Sequence, residues 1–186
     1  MEMIRKYLKN KYQIGGYQIA QIEYLLKTMF SELSKMIVIG FLLHDRLTLY
    51  LFALCMMLYL RCSTGGLHFY TYLGCLASTF LYIWLAIALL PNILLPSCIQ
   101  TFALLICMVV CYFVGPVTSK YRPQPSPQRS KYCIYVTCSG IFLYALILYI
   151  IPASPFAAVG FWIIILHSLQ LLVAKIRKKG GAKNDH

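Results

Sequence analysis

Acidic side chains are scarce in this chain, and charged residues of either sign are few. Five Asp and Glu stand against 17 Lys and Arg, and charged residues make up 12% of 186 positions, whereas a soluble domain carries about a quarter. Hydrophobic residues make up 60%, so the composition predicts an integral membrane protein. The net charge of +12 lies at the ends of apolar segments, which is typical of membrane topology. Nucleic acid is therefore not a predicted partner.

The chain also lacks the patterns that mark secreted disulfide proteins and metal centres. Its eight cysteines include no CxxC pair with zinc spacing. Four of them lie in apolar runs, where thiols behave as small buried hydrophobes: Cys55, Cys107, Cys111 and Cys138. No apolar core with a small-residue cleavage site follows the basic N-terminus, so no cleavable signal peptide is predicted. No metal and no cofactor are predicted.

The apolar runs predict an all-α fold, a polytopic transmembrane helical bundle of six segments in a single membrane domain over residues 1–186. Residues 1–16 alternate basic and apolar side chains at helical spacing, which indicates an amphipathic interfacial helix. The run 47–60 spans about 21 Å, less than a hydrocarbon core of about 30 Å. It is predicted to form a short hairpin pair with the apolar end of residues 17–43. Four full-length segments follow at 70–90, 98–114, 132–151 and 156–174.

The distribution of basic residues predicts the orientation. The N-terminal segment, Arg61, the loop 115–131 and the tail 175–186 are basic, whereas the turns at 91–97 and 152–155 carry no charge. Six crossings place all the basic groups on one side, so both termini are predicted to lie in the cytoplasm. The loop 115–131 is a predicted basic cytoplasmic loop, and its basic residues are Lys120, Arg122, Arg129 and Lys131. Anionic lipid is a predicted partner of these segments.

Polar and reactive side chains gather between two apolar runs, from Arg61 to Cys75. A histidine and a cysteine in this stretch, His68 and Cys75, indicate nucleophilic catalysis, because a thiol with a usual pKa of about 8.5 needs a base at neutral pH. In a straight helix, residues seven apart lie about 10.5 Å apart along the axis, too far for direct proton transfer. The chain must therefore bend between them, or a helix must begin there. Gly65 and Gly66 permit a bend.

Other interpretations of these residues remain open. His68 could be an interfacial polar group and Cys75 an inert thiol. A metal site that adds Cys62 would lack a fourth ligand. Arg61 either extends to lipid headgroups or binds a carboxylate of a substrate. His167, which lies beside Ser168 and Gln170 in the last apolar run, is predicted to form a hydrogen bond between helices, with a catalytic role as the alternative.

The pattern Arg61-x4-Gly66-x-His68-x6-Cys75, with Gly65 before it, resembles the signature of the accessory gene regulator B (AgrB) family. These are membrane endopeptidases of Gram-positive bacteria that process a quorum-sensing propeptide. The likeness covers nearly the whole chain, although the mid-chain loop is richer in proline than the family pattern. The resemblance implies that Cys75 is the nucleophile and His68 the base. Cleavage would pass through a thioester acyl-enzyme, and a side-chain nucleophile of the peptide would then close a thiolactone or lactone ring.

The resemblance also implies a substrate with an amphipathic leader and an acidic C-terminal segment, and a homodimer. Arg61 and the four basic residues of the loop 115–131 could attract the acidic segment at the cytoplasmic face of the cell membrane. The backbone N–H groups of Gly65 and Gly66 are candidate oxyanion donors. A non-enzymatic membrane transporter or exporter of a small peptide is the alternative function. It would need polar residues along several segments, and the sequence offers few: Ser78, Thr79, Thr101, Thr137 and Ser139.

Overall fold

The computed structural model describes residues 16–66, 71–93, 95–117, 126–152 and 154–183. Within these ranges the chain is helical, as predicted. The helices are α1 (Gly16–Leu42), α2 (Leu47–Thr64), α3 (Tyr72–Trp84), α4 (Ser97–Val114), α5 (Pro127–Ile150) and α6 (Pro155–Lys183). A short 3-10 helix, His44–Arg46, precedes α2, and a π-helical turn, Leu85–Leu89, continues α3 into a second 3-10 helix, Leu90–Asn92.

The chain divides into two compact units, residues 1–44 and 45–186. The first contains α1, a single helix over almost all of the predicted range 17–43. Within α1, the buried Lys35 forms an ion pair with Glu32 at 2.5 Å, one turn earlier in the helix. The predicted interfacial helix over residues 1–16 lies almost entirely outside the described residues.

Among the described residues, five helices are long and apolar enough to cross a membrane, and apart from His44 at the start of the first they lie in the second unit. They are His44–Thr64, Tyr72–Asn92, Ser97–Val114, Pro127–Ile150 and Pro155–Arg177. The α1 helix is not among them, so the sixth crossing and the cytoplasmic position of both termini stay predictions. Consecutive crossings would place the ends of these helices alternately on the two sides of the bilayer.

The prediction of a short second segment is corrected. With its 3-10 turn, the helix runs from His44 to Thr64, and the 18 residues of α2 alone are about 27 Å long. The helix continues past Leu60 because its polar side chains form hydrogen bonds with carbonyls one turn earlier on the same helix. Thr64 Oγ1 donates to the Leu60 carbonyl at 2.8 Å, and Ser63 Oγ donates to the Tyr59 carbonyl at 3.2 Å.

The α6 helix is the centre of the second unit. Half of its candidate membrane span is buried, against 17–28% for the other four candidate spans. Its buried face includes Val159, Ile163, Ile164 and Leu171. Both α2 and α4 pack on this helix, and α4 also packs on α5. Side chains on α6 are therefore placed to contact both α2 and α4.

Three tyrosines join neighbouring helices through their hydroxyl groups. Tyr59 on α2 donates to the Val136 carbonyl of α5 at 2.7 Å, and Tyr82 on α3 donates to the Ile163 carbonyl of α6 at 2.8 Å. Tyr144 on α5 donates to the Ala157 carbonyl of α6 at 2.5 Å. The rings of Tyr59 and Tyr144 lie against Gly140 and Gly160, where an added Cβ would collide with the ring. These glycines therefore allow the helices to approach closely.

The two ends of the second unit differ in charge. One end contains the C-terminal ends of α2, α4 and α6 and the first turns of α3 and α5. Its described basic side chains are Arg61, Arg129, Lys131, Lys175 and Arg177. Lys175 Nζ donates to the carbonyls of Phe113 and Val114 at 3.0 and 3.1 Å and so caps the C-terminus of α4. At the opposite end, Arg46 donates to the Ile87 carbonyl in the π-helical turn at 3.1 Å.

Candidate active site

Cys75 lies in the first turns of α3, at the basic end of the bundle. Thr71 is the N-cap of this helix, with extended backbone angles, and its Oγ1 accepts from the Gly74 N–H at 3.2 Å. The Cys75 N–H donates to the Thr71 carbonyl at 3.1 Å, and the Cys75 side chain is half-buried. The N-terminal turn of a helix favours a negative charge, because its backbone dipoles point their positive ends there.

His68 lies in the segment 67–70, outside the described residues. The helix that carries Cys75 begins at Tyr72, after His68 in the chain. The two residues therefore do not belong to one continuous helix, which is the condition that a proton transfer between them requires. Their pairing stays a prediction.

Gly65 ends α2 in a conformation that favours glycine. Its φ is +80° and its ψ is −150°, a region occupied almost exclusively by glycine. The Val117 N–H donates to the Thr64 carbonyl at 2.9 Å, and Gly65 and Val117 form an isolated parallel bridge. A Cβ on Gly65 would collide with the Val117 carbonyl oxygen. The chain therefore leaves α2 in a turn at Gly65, as the sequence of the glycine pair permits.

The two glycines differ as candidate oxyanion donors. The Gly65 N–H donates to the Arg61 carbonyl at 2.9 Å, so it is occupied by the cap of α2, and the expectation that it would bind an oxyanion is corrected. Gly66 is buried, and its donor role stays a prediction. A Cβ on Gly66 would meet the Arg61 side chain at 3.5–3.9 Å, which is ordinary van der Waals contact.

The Arg61 guanidinium lies inside the bundle, between α3 and α6. Its Nη2 donates to Gln170 Oε1 at 3.4 Å, and its Cζ lies 5.9 Å from the centre of the Tyr82 ring, within the range of a cation–π contact. The Arg61 side chain is half-buried, and its Nε is buried with no hydrogen bond within the described ranges. These contacts connect Arg61 to the helix that carries Cys75.

The predicted basic loop is described only at its two ends. Lys120 and Arg122 lie within 118–125, outside the described residues. Arg129 and Lys131 are exposed in the first turns of α5, because that helix begins at Pro127, five residues earlier than predicted. Ser126 is its N-cap and accepts from the Arg129 N–H at 3.3 Å. Proline at the first position of a helix is favourable, because its missing N–H would have no partner there.

His167 forms the predicted hydrogen bond between helices. Its Nε2 lies 2.7 Å from Thr64 Oγ1, and both side chains are buried. Sequence reasoning missed its partner Thr64 and the contacts of Arg61 with Gln170 and Tyr82. Spacing indicates only that Arg61 and Thr64 share one face of α2 and that His167 and Gln170 share one face of α6, because each pair is three positions apart; it does not indicate that these faces meet.

Comparisons with known proteins identify relatives of this chain. The model of the accessory gene regulator B family matches residues 1–171. A putative AgrB-like protein of Clostridium beijerinckii is 29% identical over 120 residues, which cover 62% of this chain and 59% of that relative. No solved structure gives a significant match. Because the family model matches well over half of the residues, the chain belongs to the accessory gene regulator B family.

Proposed function

We propose that this chain is a membrane cysteine endopeptidase that processes a signalling propeptide in agr quorum sensing. Membership of the family supports a part in that system, and five apolar helices fit a multi-pass membrane protein. The observation that carries the proposal is the position of Cys75, which lies in the N-terminal turn of α3 at the basic end of the bundle. The active site would face the cytoplasm, where a newly made propeptide is found.

The proposed reaction has two steps. The Cys75 thiol loses its proton to His68, and its sulfur attacks the carbonyl carbon of one peptide bond. The carbon–nitrogen bond breaks, and His68 returns the proton to the departing amine of the acidic C-terminal fragment. A thioester joins the remaining peptide to Cys75. A thiol or hydroxyl of the bound peptide then attacks the thioester carbonyl, the carbon–sulfur bond breaks, and the product leaves as a ring while the Cys75 thiol is restored.

The half-buried position of Cys75 supports the second step. A thioester that water reaches is hydrolysed to a linear acid, whereas a site that excludes water leaves it for the peptide's own nucleophile. The proposed homodimer and the binding of anionic lipid by the basic end are part of the same proposal.

Mass spectrometry of the intermediate tests the proposal. The probe is a propeptide with an amphipathic leader and an acidic tail, whose ring-forming cysteine is replaced by alanine so that cyclisation cannot remove the acyl group. We expect the peptide that contains Cys75 to gain the mass of the N-terminal fragment and to lose it in hydroxylamine, which cleaves thioesters. A Cys62→Ala variant should give the same adduct. Release of the acidic fragment with the adduct on another residue would contradict the proposal.

A second prediction concerns the exposed basic residues at the start of α5. Charge reversal in the double variant Arg129→Glu/Lys131→Glu is expected to raise KM for an acidic-tailed propeptide about fivefold or more and to change kcat little, because these charges attract the substrate without touching the reacting bond. The variant Arg129→Lys/Lys131→Arg keeps both charges and serves as the control. An unchanged KM, or a rise that persists for a propeptide with a neutral tail, would contradict this role.

A further inference from the structure

Polar side chains from three helices meet beneath the turn at Gly65. We call them the polar cluster: Arg61 and Thr64 on α2, Tyr82 on α3, and His167 and Gln170 on α6. Two cross-helix contacts, Thr64 to His167 and Arg61 to Gln170, join α2 to α6. The Arg61 contact with the Tyr82 ring joins α2 to α3. The proposed catalytic mechanism uses none of the three residues on α3 and α6.

The groups around Thr64 and His167 indicate which ring nitrogen of His167 has the proton. A hydroxyl group has one proton, and Thr64 Oγ1 uses it to donate to the Leu60 carbonyl at 2.8 Å. In that arrangement the same oxygen accepts from Nε2–H of His167, 2.7 Å away. His167 Nδ1 is buried without a hydrogen bond in the described part of the chain. A lone pair left there costs less than a buried, unpaired N–H, so the geometry favours the neutral ring with its proton on Nε2.

Thr64 connects this histidine to the backbone of the candidate site. Its hydroxyl is held by α6, and its carbonyl accepts from the Val117 N–H at 2.9 Å. The next residue, Gly65, turns the chain toward Gly66 and the segment that contains His68. A single buried residue thus couples the centre of the bundle to the turn from which the predicted base extends.

We propose that His167 is a positioning residue of the endopeptidase reaction and acts through Thr64. Its Nε2–H holds the last turn of α2, and through it the direction in which Gly65 and Gly66 leave the helix. The inference rests on the proposed function. Loss of the donor would let this turn shift by a fraction of an ångström, and small displacements of reacting groups lower rates about tenfold to a hundredfold. Because His167 contacts no substrate, KM should change little.

Three variants of His167 test the role of the Nε2 donor. Glutamine can place an amide N–H near the position of Nε2, whereas asparagine is too short to reach Thr64, and leucine has no donor. We expect His167→Gln to retain kcat within about threefold, and His167→Asn and His167→Leu to lose about tenfold or more, with KM unchanged. Rates are divided by the concentration of active sites, titrated with a thiol-reactive propeptide analogue. Ser168→Ala, next to His167 on α6 and bonded to the Ile164 carbonyl, is the control with near wild-type kcat.

Four outcomes would overturn the inference. Wild-type kcat in His167→Asn and His167→Leu would overturn it, as would equal losses in the glutamine and asparagine variants. If the His167 variants do not accumulate in membranes, Thr64→Ser and Thr64→Val replace them. A kcat retained in Thr64→Ser and lost in Thr64→Val supports the inference, whereas equal kcat values in the two variants overturn it. In wild-type protein, the 15N resonances of His167 should show a protonated Nε2 and a bare Nδ1, and the opposite tautomer would overturn it. Cleavage that persists in Cys75→Ala would instead refute the proposed function itself.

Discussion

Replacing Cys75 with alanine is expected to reduce propeptide cleavage to about a ten-thousandth of the wild-type rate or less, because removal of a nucleophile leaves only binding and electrostatic contributions. The expected loss is in kcat, since alanine removes the sulfur and leaves the surrounding helix intact. Cys75 is half-buried in the N-terminal turn of α3, where alanine is an excellent helix former. Release of the acidic fragment, followed by gel electrophoresis of a tagged propeptide, measures the effect.

A matched control separates this loss from general damage. Cys62 is exposed near the end of α2, at the same end of the bundle, and Cys62→Ala should cleave at the wild-type rate. His68→Ala should lose cleavage as Cys75→Ala does, because no base would then take the proton from the attacking thiol. Membrane fractions must contain equal amounts of each variant. Wild-type cleavage by Cys75→Ala would refute the endopeptidase mechanism.

Replacing Gly65 with alanine is expected to destabilise the bundle by about 2 kcal/mol or more and to lower cleavage about a hundredfold. Two physical effects add here. An L residue is strained at a φ of +80° and a ψ of −150°, and the added Cβ would collide with the Val117 carbonyl oxygen. Moving the Val117 carbonyl away from the added Cβ would strain the hydrogen bond between Val117 N–H and the Thr64 carbonyl, which connects the ends of α2 and α4.

Two other glycines at this end provide a graded comparison. Gly115 has a φ of +67°, but a Cβ there would only touch Ile134 Cδ1 at 3.8 Å, so Gly115→Ala tests backbone strain without a collision. Gly66→Ala adds no backbone strain from a positive φ and no collision, since its Cβ would make ordinary van der Waals contacts. The midpoint of thermal unfolding in detergent should fall most for Gly65→Ala, less for Gly115→Ala and least for Gly66→Ala. Equal midpoints in the three variants would contradict both the backbone strain and the collision expected at Gly65.

The sequence predicted helices well where apolar runs end at proline or glycine. The run 98–114 corresponds to Ser97–Val114, which Pro96 and Gly115 bound. The end of α2 was missed because hydropathy treats Arg61 and Ser63 as residues that stop a membrane helix. Hydropathy takes no account of the partners that such side chains find on their own helix and on α3 and α6. The identity of those partners depends on how the helices pack.

For the candidate site, local chemistry could be predicted and long-range pairing could not. A Gly-Gly pair indicates a bend, and the bend occurs at Gly65. The residue that fixes it, Val117, lies in another connection, and no local pattern at Gly65 indicates such a partner. In the same way, a polar residue in an apolar helix predicts that His167 has a partner on another helix, but only the packing of α2 against α6 identifies Thr64.

The tyrosine hydroxyls between helices have a mechanical consequence. Tyr59 links α2 to α5, Tyr144 links α5 to α6, and Tyr82 links α6 to α3, so the helix that carries Arg61 and the helix that carries Cys75 belong to one chain of cross-links. Sliding of any of these helices along its axis would pull a hydroxyl from its carbonyl in a medium with no water to replace it. Shear is therefore disfavoured, and the proposed acyl-enzyme would be formed and resolved within a framework whose helix register does not change between the two steps.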